Sequence, residues 1–196
     1  MFDKIQVSWT APHNGHTPIT SFLVEIRQQD GLTFSTTSLC DGADATTMSN
    51  KYCQVDIGTL RSDPFLLDWG EVVGARVSAI NIKGESLKSD VGEGGTIADI
   101  PPAPINLAST AVTSASVIGL SWEAAPTFSG LPVLDYGISY DKGLGDGSIY
   151  ILEERITQTT FTYTSVVQGI TYTFYVQARS EFSYSEYSTS ISILAA

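Results

Sequence analysis

The segment Ile5-Gln6-Val7-Ser8-Trp9 returns later in the chain as Ile118-Gly119-Leu120-Ser121-Trp122. Further along, Val77-Ser78-Ala79-Ile80-Asn81 is matched in the same way by Val176-Gln177-Ala178-Arg179-Ser180. Apolar residues occupy alternate positions in these segments, which is the period of a strand with one buried face. The repetition indicates two copies of one small β domain of about 100 residues each.

The composition of the chain indicates which kinds of partner it is not expected to bind. The chain of 196 residues has a formal net charge of −11, which disfavours binding to nucleic acid or to an anionic membrane surface. A hydrophobic content of 42% is ordinary, so each copy can bury a core of its own. No apolar run reaches the roughly 18 residues of a membrane-spanning helix, and we expect no direct membrane insertion.

The two cysteines belong to the first copy alone. Trp9 and Ala79 are 70 positions apart, whereas Trp122 and Ala178 are 56 apart, so the first copy carries an insertion. The polar loop from Cys40 to Cys53 accounts for most of it. A disulfide would restrict the unfolded loop by roughly 3 kcal/mol, whereas two cysteines without CxxC spacing are too few for zinc. The disulfide predicts an oxidising compartment, extracellular or at the cell surface.

Alternation and turn residues predict short strands throughout and no helix. In the first copy the predicted strands are 5–9, 20–27, 33–39, 54–57, 72–81 and a weak one at 92–95. In the second copy they are 105–107, 117–122, 134–141, 148–154, 160–164, 171–179 and 187–194. Residues 99–104 carry three prolines and predict a stiff linker, so the predicted domains are 1–98 and 99–196.

The second copy resembles a fibronectin type III domain. It has a proline-rich start at 101–104, Trp122 at the end of its second strand, Tyr172 at the start of its sixth, and Val176-Gln177-Ala178-Arg179-Ser180. The first copy resembles the same family through Trp9, Val77-Ser78-Ala79-Ile80-Asn81 and Gly84-Glu85-Ser86. The resemblance implies an all-β chain of two tandem immunoglobulin-like sandwiches, and it implies structural and binding roles about equally.

Several strings are similar to repeats in very large predicted surface proteins of ciliated protozoa. They are Val24-Glu25-Ile26-Arg27, Cys40-Asp41-Gly42, Asp68-Trp69-Gly70 and residues 135–141.

The first copy departs from the family pattern at two places. Val73 stands where the tyrosine of the sixth strand is expected, and Trp69 is predicted to fill that space. Almost nothing precedes Lys4, so the first strand of the fold is missing or truncated. Either the sequence was cut within a repeat array, or another chain supplies the strand by β-augmentation.

Candidate residues fall into three sets. Trp9, Trp122, Tyr172 and Trp69 are predicted to pack in the cores. Tyr150, Tyr175 and Tyr187 are predicted to project outward, where they could stack on a sugar or a partner surface. His13 and His16 are predicted to be solvated loop residues. The acidic pairs Asp41 with Asp44 and Asp141 with Asp146 leave calcium as an alternative to ordinary turn roles.

No arrangement of residues predicts catalysis, and no cofactor or metal is expected. The sequence therefore predicts a non-enzymatic extracellular structural repeat unit: a spacer, an adhesion segment or a subunit of a surface fibre or filament. Its partners would be proteins, through self-assembly or neighbouring repeats. The alternative is a recognition module of a cell-surface receptor that binds a protein or a glycan.

Overall fold

The computed structural model describes residues 3–127 and 129–196, and it divides the chain into two compact units, Met1–Asp99 and Ile100–Ala196. Both units are built from antiparallel strands in two sheets. The predicted all-β fold of two tandem immunoglobulin-like sandwiches is confirmed.

The first unit has one sheet of two strands and one larger sheet. Its strands are β1 (Lys4–Ser8), β2 (Ile19–Arg27), β3 (Phe34–Ser35), β4 (Tyr52–Asp56), β5 (Val72–Asn81), β6 (Gly84–Glu85) and β7 (Gly92–Thr96). The small sheet pairs β1 with β4. The larger sheet has the order β3-β2-β5, and β6 and β7 both pair with β5, so the last strand is interrupted between them.

The prediction that no segment is helical is wrong in the first unit. A 3-10 helix covers Ser38–Cys40, α1 covers Ala45–Asn50 and α2 covers Ile57–Leu60. The strand predicted at 33–39 is reduced to Phe34–Ser35, and Ile57 begins a helix instead of ending a strand. These helices have at most six residues, which is too short for helical periodicity to be visible.

The cap of α1 explains why a helix forms inside the polar loop. The Asp44 carboxylate accepts hydrogen bonds from the backbone N–H groups of Thr46 and Thr47, at 2.9 and 3.0 Å. These N–H groups have no partner within the helix, and an N-cap aspartate satisfies them. Lys51 ends the helix in the left-handed conformation, with φ of 61°.

The second unit has sheets of three and four strands. Its strands are β8 (Ile105–Ser109), β9 (Ile118–Glu123), β10 (Asp135–Tyr140), β11 (Tyr150–Ile156), β12 (Thr160–Tyr163), β13 (Thr171–Arg179) and β14 (Ile191–Leu194). The sheet orders are β12-β9-β8 and β11-β10-β13-β14. Strand β9 therefore has a neighbour on both sides, because β8 covers the edge away from β12.

Each unit has its own core. The first is formed by Val24, Ile26, Cys40, Cys53, Val55, Ile57, Leu60, Phe65, Leu67, Val73 and Ile97. The second is formed by Ile118, Leu120, Trp122, Tyr136, Ile138, Tyr172, Phe174, Val176, Ala178, Ile193 and Ala195. Trp122 and Tyr172 are thus fully buried, whereas Trp9 and Trp69 are half-buried and pack against the first core.

A tyrosine links the loop before β13 to that strand in the second unit. The Tyr172 hydroxyl oxygen accepts a hydrogen bond from the backbone N–H of Val167, at 2.9 Å. Val73 aligns with Tyr172 and cannot make this bond. Upstream of it, Trp69 lies against the first core with the Arg61 guanidinium 4.0 Å from its ring centre.

Replacing Tyr172 with phenylalanine tests this link. The Tyr172→Phe variant keeps the buried ring but leaves the Val167 N–H without its partner, so we expect the free energy of unfolding to fall by about 1 kcal/mol. Urea denaturation followed by circular dichroism measures the change. Tyr187→Phe is the matched control, because Tyr187 is exposed. An equal effect of both substitutions would contradict a specific role for the Tyr172 hydroxyl.

Candidate functional site

Strand β1 has one free edge. Among residues 3–127 and 129–196, β4 is the one strand that pairs with it. The Trp9 N–H donates to the Lys51 carbonyl at 3.0 Å, and the Ile57 N–H donates to the Asp3 carbonyl at 2.8 Å. Backbone groups of an antiparallel pair face the partner strand at every second residue. The backbone N–H and C=O groups of Gln6 and Ser8 therefore point away from β4.

In the second unit, the equivalent edge belongs to β9 and is paired with β8. Gly119 and Ser121 of β9 occupy the repeat positions of Gln6 and Ser8. The Gly119 carbonyl accepts a hydrogen bond from the Thr110 N–H at 2.9 Å, and Ser121 is paired with Ala108 of β8. The positions that β8 covers in the second unit thus have no neighbouring strand in the described part of the first.

A groove of about 370 Å³ follows the free edge. One wall is β1 with Trp9, the other wall is residues 89, 90 and 92–95, and the floor is Val73, Ala75 and Val77 of β5. The groove therefore runs between the two sheets, along the free edge of β1.

The groove is open because the residues that pair between β5 and β7 are small. Ala75 pairs with Gly92 and Val73 pairs with Gly95. The same register positions in the second unit hold two large pairs, Phe174 with Ile191 and Tyr172 with Ile193. A Cβ atom placed on Gly92 would meet only the Ala75 carbonyl oxygen, at 3.9 Å. Gly95 lies close to the Ile5 side chain and closes the groove at that end.

The apolar side chains of β1 are incompletely covered as a result. Ile5, Val7 and Trp9 are half-buried. Their counterparts Ile118, Leu120 and Trp122 are 0%, 0% and 3% exposed. Covering 100 Å² of apolar surface stabilises a protein by roughly 2.5 kcal/mol, so a strand placed in the groove would gain free energy beyond its hydrogen bonds.

Serine side chains hold the interrupted last strand of the first unit in place. The hydroxyl oxygens of Ser86 and Ser89 accept hydrogen bonds from the N–H groups of Ala79 and Val77, at 2.9 and 3.0 Å. Ser185 and Ser188 make the equivalent bonds in the second unit. We did not predict this role, although two serines three residues apart at the same place in both copies are a visible signal.

Ion pairs attach the segment from Lys88 to Glu93 to the larger sheet. Glu25 of β2 pairs with Arg76 of β5 and with Lys88, and Arg27 pairs with Glu93. Burial of the Glu25 carboxyl acts to raise its pKa, but hydrogen bonds from Lys88 and Arg76 outweigh burial, and the pKa lies below the ordinary value of 4.5.

The predicted partner tyrosines do not form one surface. Tyr175 and Tyr187 are neighbours, with ring centres 5.5 Å apart, and Tyr187 is 40% exposed. Tyr150 pairs across the strands with Tyr140, whose ring packs against the core, so Tyr150 is on the opposite face of the sheet from Tyr175. The Lys142 ammonium lies 3.7 Å from the centre of the Tyr150 ring.

The predicted disulfide is confirmed. Cys40 and Cys53 are bonded, and both are buried in the first core. Cys53 lies in β4 directly opposite Val7 of β1. The bridge therefore links the inserted loop to β4, the strand that pairs with β1.

The aspartates considered for calcium have local roles in loops. Asp141 accepts hydrogen bonds from the N–H groups of Gly143 and Thr173, at 2.8 and 3.0 Å, and Asp146 accepts one from the Ser148 N–H at 2.9 Å. In the described residues, no three His, Cys, Asp or Glu side chains are grouped to hold a metal ion. No helix in this part of the chain has the length and apolar character to cross a membrane.

Comparison with known proteins identifies the second unit. Residues 101–193 match the family profile of the Fibronectin type III domain. The match covers the second unit and less than half of the 196-residue chain. A crystal structure of domains from titin is similar over 98% of this chain and 66% of its own, with 13% identity and a TM-score of 0.57. An Fn3-like protein from Clostridium thermocellum matches 48% of this chain over 92% of its own length, with 24% identity and a TM-score of 0.41.

The similarity to the titin domains shows the fold. The similarity to titin spans both units and shows the tandem sandwich architecture. Fibronectin type III domains generally serve as non-catalytic structural or binding modules.

Removing the disulfide tests its contribution to the first unit. We expect the Cys40→Ala, Cys53→Ala double variant to lose roughly 3 kcal/mol of unfolding free energy, because the unfolded loop regains its freedom. Chemical denaturation of the oxidised chain and of the double variant measures the loss. Adding a reductant should destabilise the parent chain and leave the double variant unchanged. A variant as stable as the parent would contradict this prediction.

The ion pairs of Glu25 predict a pH dependence. Because the pKa of Glu25 is lower in the folded chain, its contribution to stability is present above about pH 4.5 and is lost as the pH falls through the folded pKa. The difference in unfolding free energy between the parent chain and Glu25→Gln should therefore shrink as the pH falls below 4.5. A difference that stays constant down to low pH would contradict the prediction.

Proposed function

We propose that this chain is a non-enzymatic extracellular structural repeat unit, a spacer, adhesion segment or fibre subunit, which joins another protein through the free edge of β1. The main observation in support is that, in the described part of the chain, the N–H and C=O groups of Gln6 and Ser8 pair with no strand and lie beside the groove. An exposed strand edge is a template for pairing with another chain, and sheets without such a role usually block it.

Several features support an extracellular setting and an assembly role. The buried disulfide is typical of proteins from oxidising compartments, which supports a location outside the cell or at its surface. The similarity to surface-protein repeats of ciliated protozoa points the same way. The groove has an apolar floor of Val73, Ala75 and Val77, and its outer wall carries glycines and the carboxylates of Asp90 and Glu93, a mixed lining that suits an extended peptide.

One observation favours recognition as a second candidate function. Tyr175 and Tyr187 lie together on one face of the larger sheet in the second unit. Adjacent tyrosine rings offer a flat apolar surface with hydroxyl groups, which suits a sugar ring or a protein surface. Under this alternative the chain is a recognition module that binds a glycan or a protein.

A proline placed in β1 tests the assembly role. The Gln6→Pro variant removes an N–H group that points away from β4, so the β1–β4 pairing is kept while the free edge is blocked. We expect the parent chain to form oligomers or filaments at high concentration and Gln6→Pro to remain monomeric. Light scattering and negative-stain electron microscopy measure the difference.

The matched control uses the other edge of the same sheet. Gln54 is opposite Gln6 in the register, so Gln54→Pro removes an N–H group that points away from β1. We expect Gln54→Pro to assemble like the parent chain. The proposal fails if the parent chain remains monomeric with its protein partners present, or if both proline variants assemble equally well.

A further inference from the structure

We infer that Asn14 is a self-modification site, at which the side chain cyclises onto the backbone nitrogen of Gly15 and is converted to aspartate or isoaspartate. The loop between β1 and β2 supplies every group that this reaction needs except water. The inference goes beyond the proposed function and does not depend on the free edge of β1.

The residue that follows Asn14 distinguishes it from the other asparagines of the chain. Asparagine occurs at Asn14, Asn50, Asn81 and Asn106, and only Asn14 precedes a glycine. Ring closure brings the next backbone nitrogen against the asparagine side chain, and glycine has no Cβ atom to obstruct it. A Cβ atom placed on Gly15 would meet nothing within 4 Å, and Asn14 and Gly15 are both exposed. The site is therefore open to water.

The backbone around Asn14 forms a tight turn. Gly15 and His16 are both left-handed, with φ of 61° and 65°, and the Thr17 N–H donates to the Asn14 carbonyl at 3.1 Å. Asn-Gly is a favoured sequence for a turn with two successive positive φ angles. This turn holds the Asn14 side chain in a defined position relative to the two N–H groups that follow it.

His13 provides a base at the attacking atom. Its Nδ1 atom accepts a hydrogen bond from the Gly15 N–H at 3.1 Å. A general base must lie within hydrogen-bond reach of the proton that it removes, at about 2.6–3.2 Å, and this distance meets the condition. Because Nδ1 accepts the bond, it carries a lone pair and can take the proton as the Gly15 nitrogen attacks.

The His16 backbone stabilises the charge that the attack creates. The His16 N–H donates to the Oδ1 atom of Asn14 at 3.0 Å. Attack on the Asn14 Cγ atom moves negative charge onto Oδ1, and a hydrogen-bond donor already held there stabilises that charge. The loop thus places an electrophile, a nucleophile, a base and an oxyanion donor within four consecutive residues, 13–16.

The reaction balances with water as its one added reactant. The Gly15 nitrogen forms a bond to Asn14 Cγ while its proton passes to His13 Nδ1. The bond from Cγ to Nδ2 then breaks, and His13 returns the proton to Nδ2, which leaves as ammonia. Water opens the cyclic imide at either of its two carbonyl groups, which gives aspartate or isoaspartate.

Asn81 is an internal comparison for this arrangement. Its Oδ1 atom also accepts a hydrogen bond from the N–H group two residues further on, at 2.8 Å. The next residue, however, is Ile82, whose β-branched side chain crowds the nitrogen that would attack. Ile80 stands where His13 precedes Asn14. Asn81 therefore has the oxyanion donor without the glycine or the preceding histidine.

Conversion of Asn14 changes the charge of a recess beside the turn. This recess of about 250 Å³ is lined by His13, Asn14, Lys83 and Glu85, among others. The Glu85 carboxylate accepts a hydrogen bond from the Ser78 hydroxyl at 2.6 Å. The modification adds a second carboxylate to the same recess, and isoaspartate also lengthens the main chain by a methylene group.

The test follows the modification in the full 196-residue chain. Folded samples kept near neutral pH are digested at intervals, and mass spectrometry with fragmentation measures aspartate and isoaspartate at Asn14 and Asn81. We expect Asn14 to be converted about tenfold faster than in an unstructured synthetic peptide of residues 10–20, because the folded turn holds the base and the donor in place. Asn81 should remain unmodified over the same period. Isoaspartate must be among the products, because it forms only when the imide ring opens.

Matched glutamine substitutions separate the roles of the two imidazoles. His13→Gln keeps a hydrogen-bond acceptor but removes the base, and we expect it to slow the conversion of Asn14 by about tenfold or more. His16→Gln removes the other imidazole and keeps the backbone N–H that contacts Asn14, so conversion should continue at the parent rate. Both positions are exposed in a loop, and circular dichroism verifies that both variants are folded.

Three results would overturn the inference. The first is an Asn14 that is converted no faster in the folded chain than in the peptide. The second is an equal rate in His13→Gln and His16→Gln, which would remove the role of the His13 base. The third is aspartate without isoaspartate, which would show that no cyclic imide forms.

Discussion

The backbone hydrogen bonds at the edges of β1 and β9 are the constraint on which the difference between the two units depends. Each of these strands has N–H and C=O groups on both sides. On one side, β1 forms hydrogen bonds with β4, and β9 forms them with β12. In the second unit β8 satisfies the other side, and it also covers the apolar side chains beneath it. In the described part of the first unit, Gln6 and Ser8 are left with that requirement, and the apolar side chains of β1 are only half-buried.

Hydrogen bonds, ion pairs and small side chains together keep the groove open. Two sheets beside a free edge could close until they meet, as they do where Gly95 approaches Ile5. Elsewhere the wall is held away, because serine hydroxyls and ion pairs attach residues 86–93 to β5 and β2. Ala75 and Gly92 then leave a space that Phe174 and Ile191 fill in the second unit. The groove is therefore a feature of the side chains of the first unit as well as of the free edge of β1.

The inserted loop strengthens the sheet that carries the free edge. Cys53 belongs to β4, and its bond ties this short strand to the 3-10 helix Ser38–Cys40, in which Cys40 is the buried residue. A sheet of two strands is marginally stable by itself, and the disulfide compensates for its small size. The first unit thus combines a reduced sheet with a covalent link at the strand next to the edge.

The sequence by itself determined the duplication, the alternating strands around Trp9 and Trp122 and the pairing of Cys40 with Cys53, because these depend on local period and spacing. It did not reveal α1, whose six residues are too few to show a period. Only the tertiary structure decided that Tyr175 joins Tyr187 while Tyr150 does not, and that Gly92 opposes Ala75 beside an open groove. Those relations depend on the register between strands and on the volumes that meet across them, and alternation along one strand contains neither.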